Sequence, residues 1–167
     1  LRPFGARAKL ILADLRMDNW RKQLPASFDA IISATALHWL KEVEMKNLYR
    51  QISKLLRPGG IFLNADHVAS RNSRVQMFWG KSRGEMRRVE NKTGEDWEKF
   101  WKSYTQALEI SGQRNKSERV LGGWNGGVED GLPLEWHFNQ LKANGFVHLD
   151  CFWRCDCDAI YGGFRKG

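Results

Sequence analysis

The sequence predicts an α/β fold with a mostly parallel sheet, and two short apolar runs separated by a helical pattern carry this prediction. Ala30 to Ser33 and Ile61 to Leu63 have the composition of strands buried on both faces of a sheet. Between them, apolar residues recur at helical spacing: Met45, Leu48, Ile52, Leu55 and Leu56. A strand, a helix and a second strand in this order predict a right-handed parallel crossover.

Polar residues follow both predicted strands. They are Ser33, Thr35 and His38 after the first strand and Asn64, Asp66 and His67 after the second. Because ligands of an open parallel sheet bind beyond the carboxyl ends of its strands, we expect these side chains to border one cleft.

Length and charge limit the classes of function. The 167 residues are enough for one domain with a sizeable core. The formal net charge of +8 is compatible with a nucleic-acid partner. However, Lys and Arg are spread along the chain and enriched only from Arg71 to Arg88, which makes nucleic acid the less favoured partner. Without an apolar run long enough for a bilayer or a signal-peptide pattern at its start, the chain is expected to be cytoplasmic, with no membrane partner.

The cysteines do not indicate a disulfide framework, because they are odd in number and bunched near one end: Cys151, Cys155 and Cys157. His148 and Asp150 lie close by and would allow a metal site. The paired two-residue spacings of a structural zinc site are absent, so we predict strand thiols and no metal.

An acidic residue follows the first apolar run of the chain. Lys9 to Ala13 predicts a short strand that ends at Asp14. Such a carboxylate can accept a hydrogen bond from an exocyclic amine, and the backbone N–H of Leu15 can donate to a ring nitrogen. Alternatively, Asp14 only caps the next turn.

The middle of the chain is rich in aromatic residues, and the end predicts regular structure. Residues 70–131 predict two helices and a mobile glycine-rich loop, which form either a lid over the strand ends or part of the core. The second helix carries Trp97, Phe100, Trp101, Tyr104 and Leu108. After it, Leu134 to Ala143 predicts a helix, and Val147 to Arg154 and Ala159 to Phe164 predict an antiparallel hairpin.

Three short motifs, taken in order, carry a family resemblance. They are Phe28-Asp29-Ala30, Ala36-Leu37-His38-Trp39 and Leu56-Arg57-Pro58-Gly59-Gly60. The set resembles the class I S-adenosylmethionine-dependent methyltransferases, especially their small-molecule branch. The resemblance implies a Rossmann-like sheet, a helical insertion over the strand ends and S-adenosylmethionine as cofactor. It implies that Asp14 and Leu15 contact the adenine and that Ser33 and Ala34 also line the cofactor site.

The chain departs from this family at its beginning. No strand with a Gly-x-Gly loop precedes Asp14, so the resemblance implies that the first two strands of the family's sheet are missing here. By analogy, 1–69 is the Rossmann-like part of a single partial domain, 70–131 the insertion and 132–167 the carboxyl-terminal helix and hairpin. We therefore expect the chain to bind the cofactor poorly and to be weak or inactive alone.

The resemblance also suggests what the enzyme acts on. The family's enzymes that methylate amino groups of nucleic-acid bases carry Asp/Asn-Pro-Pro-aromatic after the fourth strand, where this chain has Ser33-Ala34-Thr35-Ala36. This difference favours a small-molecule acceptor. The alternatives are a basic nucleic-acid-binding module, an RNA-directed methyltransferase and a nicotinamide-dependent Rossmann enzyme.

The candidate catalytic residues follow from the chemistry of methyl transfer. The reaction is an in-line displacement, so the enzyme mainly aligns the reactants and excludes water. A base is needed only when the acceptor arrives protonated, and His38 and His67 are the candidates. Asp66 would orient His67 or bind a substrate amine. His38 could instead be a buried ring packed beside Trp39.

Overall fold

The computed structural model describes residues 5, 7–11, 13–17, 19–24, 27–93, 99, 102, 103, 106 and 131–167, with only the backbone of 23 and 87–93. Its centre is a five-stranded sheet in which the long strand β2 (Leu56–Ala69) pairs with three others. These are β1 (Phe28–Ala34), the short β3 (Leu132–Pro133) and β5 (Asp158–Arg165), while β4 (Phe146–Cys155) lies outside β5.

The sheet is mixed, which corrects the prediction of a mostly parallel sheet. β1 runs parallel to β2, with Ser33 opposite Asn64, and thus completes the predicted crossover. β5 runs antiparallel to β2, and β4 antiparallel to β5. The predicted carboxyl-terminal hairpin is therefore confirmed, but its second strand inserts beside the central strand.

The first strand lies at the edge of the described sheet, contrary to the prediction that both its faces are buried. Ile32 in its middle is 72% exposed. An apolar, β-branched run shows that a segment can form a strand, but only its neighbours decide how much of it is covered.

Three α-helices in the continuously described segments 27–93 and 131–167 accompany the strands: α1 (Glu42–Leu55), α2 (Ser73–Thr93) and α3 (Leu134–Ala143). α1 begins where the Glu44 carboxylate accepts a hydrogen bond from the Lys41 backbone N–H at 2.7 Å. The predicted apolar stripe of this helix is buried in the core. There Phe62 of β2 packs edge-on between Tyr49 of α1 and Phe146 of β4, with ring centroids 5.6 and 6.2 Å apart.

The first part of β2 leaves little room for a side chain at position 60. A Cβ atom there would lie 3.0 Å from the carbonyl oxygens of both Arg57 and Asp29. The absence of a side chain lets the start of β2 approach β1 closely.

Two other predictions have different outcomes. The segment from Lys9 to Ala13 is not a strand at any of its described residues (9–11 and 13), because no described strand lies beside it to share hydrogen bonds.

The first helix of the insertion is present as α2. The second helix and the glycine-rich loop lie outside the described residues, apart from Gly131 and four positions of the helix, 99, 102, 103 and 106. Within the described part, no helix has the length and apolarity needed to cross a membrane.

Candidate active site

A buried carboxylate joins the ends of β1 and β2. Asp66 is only 5% exposed, and its Oδ2 accepts hydrogen bonds from the backbone N–H groups of Leu37 at 2.9 Å and His38 at 3.1 Å. Its Oδ1 lies 2.6 Å from His38 Nδ1 and accepts the His67 backbone N–H at 2.9 Å. Because the carboxylate only accepts, His38 carries its proton on Nδ1, and Nε2 is the acceptor nitrogen of the neutral ring.

Asp66 therefore orients a different histidine from the one expected. Its side chain pairs with the His38 ring, whereas the His67 ring pairs with Asp158, whose Oδ1 lies 2.6 Å from His67 Nδ1. The reason is the alternation of side chains along a strand: Asp66 is on the buried face of β2, and His67 points the other way.

Both ring nitrogens of His67 have a partner. Arg83 of α2 contacts Nε2, while Asp158 accepts from Nδ1. The His67 and His38 rings lie 4.9 Å apart between centroids. Among the residues that the structure describes, each histidine thus has a carboxylate on Nδ1, but only His67 has a cation on its other nitrogen.

A second polar cluster borders the same site, and the sequence analysis found only its Asn64. The Tyr49 hydroxyl is 2.7 Å from His137 Nδ1 and 3.4 Å from the Tyr161 hydroxyl, which in turn accepts a hydrogen bond from Asn64 Nδ2 at 2.9 Å. All four side chains are buried. The sequence did contain a signal for two members of this cluster. Tyr49 and His137 lie on the apolar stripes of their helices, and each is four residues from a buried neighbour on the same helix.

Burial determines how this second cluster titrates. It lowers the pKa of His137 to about 4, although the negative charge of Asp66 and the backbone of Leu132 oppose the change. Burial also raises the pKa of Tyr161, and it raises that of Tyr49 strongly. The cluster is therefore uncharged at neutral pH.

The two polar clusters border one crevice. Its polar lining consists of His38, Asn64, Asp66, His67, His137 and Tyr161. Gly131 and Leu132, where the chain enters β3, also border it. Between the described residues, the crevice has no room for a water-sized molecule. The structure thus brings together the histidines and Asp66 that were predicted from sequence, but in a closed arrangement.

Asp14 does not join this crevice. Its carboxylate binds Arg16 through a forked pair, with Nη2 to Oδ2 at 2.7 Å and Nε to Oδ1 at 3.0 Å, and also accepts the Arg16 backbone N–H. This arginine lowers the pKa of Asp14. Leu15 packs against the core. This geometry matches the alternative interpretation of Asp14, in which the residue caps the next turn.

The remaining two predicted cofactor residues, Ser33 and Ala34, end β1. They are in register with Asn64 and Ala65, and the parallel pairing continues one residue further, where the Thr35 N–H donates to the Ala65 carbonyl at 2.8 Å. They therefore lie at the carboxyl end of the parallel pair, as expected, next to the loop that carries His38.

Part of the chain is similar to a known family, and its fold is similar to that of several solved structures. Residues 5–64 match the family described as a methyltransferase domain, and no curated protein matches the chain. Among solved structures, an O-methyltransferase family protein from Burkholderia thailandensis superposes with a TM-score of 0.57 at 13% identity, over 99% of this chain and 38% of its own. The DszA carbon methyltransferase superposes with a TM-score of 0.53 at 17% identity, over 99% of this chain and 36% of its own. The S-adenosylmethionine-dependent methyltransferase SibL superposes with a TM-score of 0.51 at 14% identity, over 93% of this chain and 35% of its own.

These comparisons agree with the topology. The similar structures share the fold, and the chain spans little more than a third of their length, 35% to 38%. The matched segment contains β1, α1 and most of β2, which are the elements that position His38 and Asp66. Residues 5–64 are therefore similar to a methyltransferase domain, and the chain shares the fold of these solved structures.

Proposed function

We propose that the protein serves in methyl transfer from S-adenosylmethionine to a small-molecule acceptor, with His38 as the base for an acceptor that arrives protonated. The observation that carries this proposal is the position of Asp66. One buried carboxylate holds the backbone of the loop after β1 and orients the His38 ring. This is the arrangement of an oriented base, because the third group fixes which ring nitrogen is available.

His38 is a better candidate for the base than His67. Its Nδ1 proton is directed at Asp66, so Nε2 is the nitrogen that can take a proton from a hydroxyl or ammonium group. At His67, the same nitrogen is already in contact with Arg83. His67 could serve only after that contact breaks, whereas a carboxylate acceptor would need neither histidine.

The residues proposed to bind the cofactor are not equally well placed to do so. Ser33 and Ala34 lie at the carboxyl end of a parallel strand, where ligands of such sheets bind. Asp14 does not fit an adenine amine as it is placed, because both of its oxygens accept hydrogen bonds from Arg16. S-adenosylmethionine, when bound, would supply the methyl group. This fit supports the expectation that the chain alone binds the cofactor weakly.

A small-molecule acceptor is favoured over nucleic acid. The similar structures named above are described as O-methyl and carbon methyltransferases. Two arginines of the basic segment also have partners within the protein: Arg71 forms an ion pair with Glu135 at 2.8 Å, and Arg83 contacts His67. The ion pair of Arg71 neutralises one charge and the contact of Arg83 holds a second arginine against the protein, so the segment is less available to a phosphate backbone than its sequence suggests.

The test follows radiolabelled methyl groups from S-adenosylmethionine into a panel of phenols, carboxylic acids and amines, with total RNA in parallel. The protein is expressed from its full gene. We expect labelled small molecules and a rate at least about 100-fold lower for His38→Ala. Label in RNA alone would overturn the proposed acceptor class. Unchanged turnover in both His38→Ala and His67→Ala would end the proposal of a histidine base.

A further inference from the structure

We propose that His67, Cys157 and Asp158 form a zinc-binding site where the β4–β5 turn meets the end of β2. One donor atom from each of the three side chains lies within 4.8 Å of the other two. This inference does not depend on methyl transfer, and it differs from the grouping of Cys157 with the other cysteines that the sequence suggested.

The backbone brings the three residues together from distant parts of the chain. His67 and Asp158 are directly opposite each other in the antiparallel pairing of β2 and β5. Cys157 precedes Asp158 in the turn, and its carbonyl accepts the Val68 N–H at 2.7 Å. Both sides of the site therefore rest on paired strands, which hold ligands more accurately than a loop does.

The donor set suits zinc. A thiolate, an imidazole and a carboxylate are all common zinc ligands, and three protein ligands leave a fourth tetrahedral position for water. Zinc bonds of about 2.0 to 2.3 Å place neighbouring donors roughly 3.5 Å apart, so separations of up to 4.8 Å would contract by at most about 1.3 Å. The Cys157 side chain is buried, at 5% exposure, which protects a bound thiolate from solvent.

Zinc binding changes the protonation of two of the three ligands, Cys157 and His67. Cys157 releases its thiol proton to solvent and binds as the thiolate, and Asp158 is already a carboxylate. The His67 proton moves from Nδ1, which faces Asp158, to Nε2, so Nδ1 can bind the ion. Each zinc ion bound thus releases one proton.

Arg83 opposes zinc binding in the arrangement described here. It contacts His67 Nε2, which would carry the proton in the zinc-bound form, so two donors would then face each other. Arg83 must therefore move away when zinc binds. Its removal should strengthen zinc binding, because it removes both this conflict and a positive charge.

A second group of donors shares His67 but is a poorer site. It contains His38 and Asp66. The Asp66 oxygens already accept four hydrogen bonds, from the backbone of residues 37, 38 and 67 and from the His38 ring. Binding an ion there would disrupt the link between β1 and β2. The group that includes Cys157 can bind an ion without that loss.

The experiment titrates the metal-free 167-residue chain with Co²⁺, whose thiolate bond gives a charge-transfer absorption band, and then displaces Co²⁺ with Zn²⁺. We expect one Co²⁺ per chain. Cys157→Ser should abolish the band and Cys155→Ser, which removes an exposed thiol two residues away, should keep it. Asp158→Asn should weaken Zn²⁺ binding by about tenfold or more. Arg83→Met should strengthen it severalfold.

The outcomes separate the alternatives. A wild-type chain without the band, or a band that survives Cys157→Ser, would overturn the site. Equal affinity in Arg83→Met and the wild type would contradict binding through His67 Nδ1. Circular dichroism checks that each variant is folded, and if Cys157→Ser is not, the loss of affinity in Asp158→Asn decides.

Discussion

The neutral His137 in the core should make the protein lose stability in mild acid. An unfolded histidine titrates near pH 6.5, whereas burial lowers the pKa of His137 to about 4. Between these values the unfolded chain binds a proton that the folded chain does not. Stability is therefore complete above about pH 7 and falls as the pH drops through 6.5 towards 4.

The size of the effect follows from the two pKa values. Each unit of difference corresponds to 1.36 kcal/mol, so a difference of about 2.5 amounts to about 3.4 kcal/mol in total. Nearly all of it, about 3 kcal/mol, is lost by pH 4. This is a large part of the free energy of unfolding of a typical domain, about 5 to 15 kcal/mol.

Urea unfolding at several pH values measures this loss. The matched control is His137→Gln, because glutamine does not titrate but can still hydrogen-bond to the Tyr49 hydroxyl. Carboxyl groups contribute equally to both proteins, so the difference between their pH profiles isolates His137. We expect the wild type to lose about 3 kcal/mol more than the variant between pH 7 and pH 4. Parallel profiles, or an NMR titration that places the His137 pKa at 6.5 or above, would refute the reasoning.

Three further predictions concern the same core and site. Tyr49→Phe should lower the free energy of unfolding by about 1 to 2 kcal/mol, because His137 Nδ1 loses its buried partner, and urea unfolding at pH 7 measures this. Asp66→Asn should cost at least about 2 kcal/mol in the same assay, because an amide nitrogen would face donors from the loop backbone or the His38 ring; a cost below 0.5 kcal/mol would argue against the assigned role. Calorimetry of this chain with S-adenosylmethionine should show binding weaker than micromolar, and a micromolar dissociation constant would contradict the placement of Asp14 against Arg16.

Much of the fold could be predicted because its signals are local. The crossover from β1 through α1 to β2, the helix α3 and the carboxyl-terminal hairpin each follow from periodicity and turn residues within one segment. The gathering of His38, Asp66 and His67 could also be predicted, because the carboxyl ends of adjacent parallel strands lie at one edge of a sheet.

Other parts of the site could not be read from local patterns. Whether Asp66 pairs with His38 or His67 depends on which face of β2 packs against the helices. The pairing of His67 with Asp158 joins residues 91 positions apart, and that of Tyr49 with His137 joins residues 88 apart. Such contacts are set by how the sheet and helices pack rather than by spacing along the chain.

The sequence alone determined the kind of elements and most of their order, because hydrophobic periodicity and short motifs act over a few residues. Only the tertiary structure decided that the sheet is mixed, that Lys9 to Ala13 is not a strand at its described residues, and which carboxylate serves which histidine. Those outcomes depend on hydrogen bonds and burial between distant segments. A strand exists only beside a partner, and a buried polar group takes the partner that the packing places next to it.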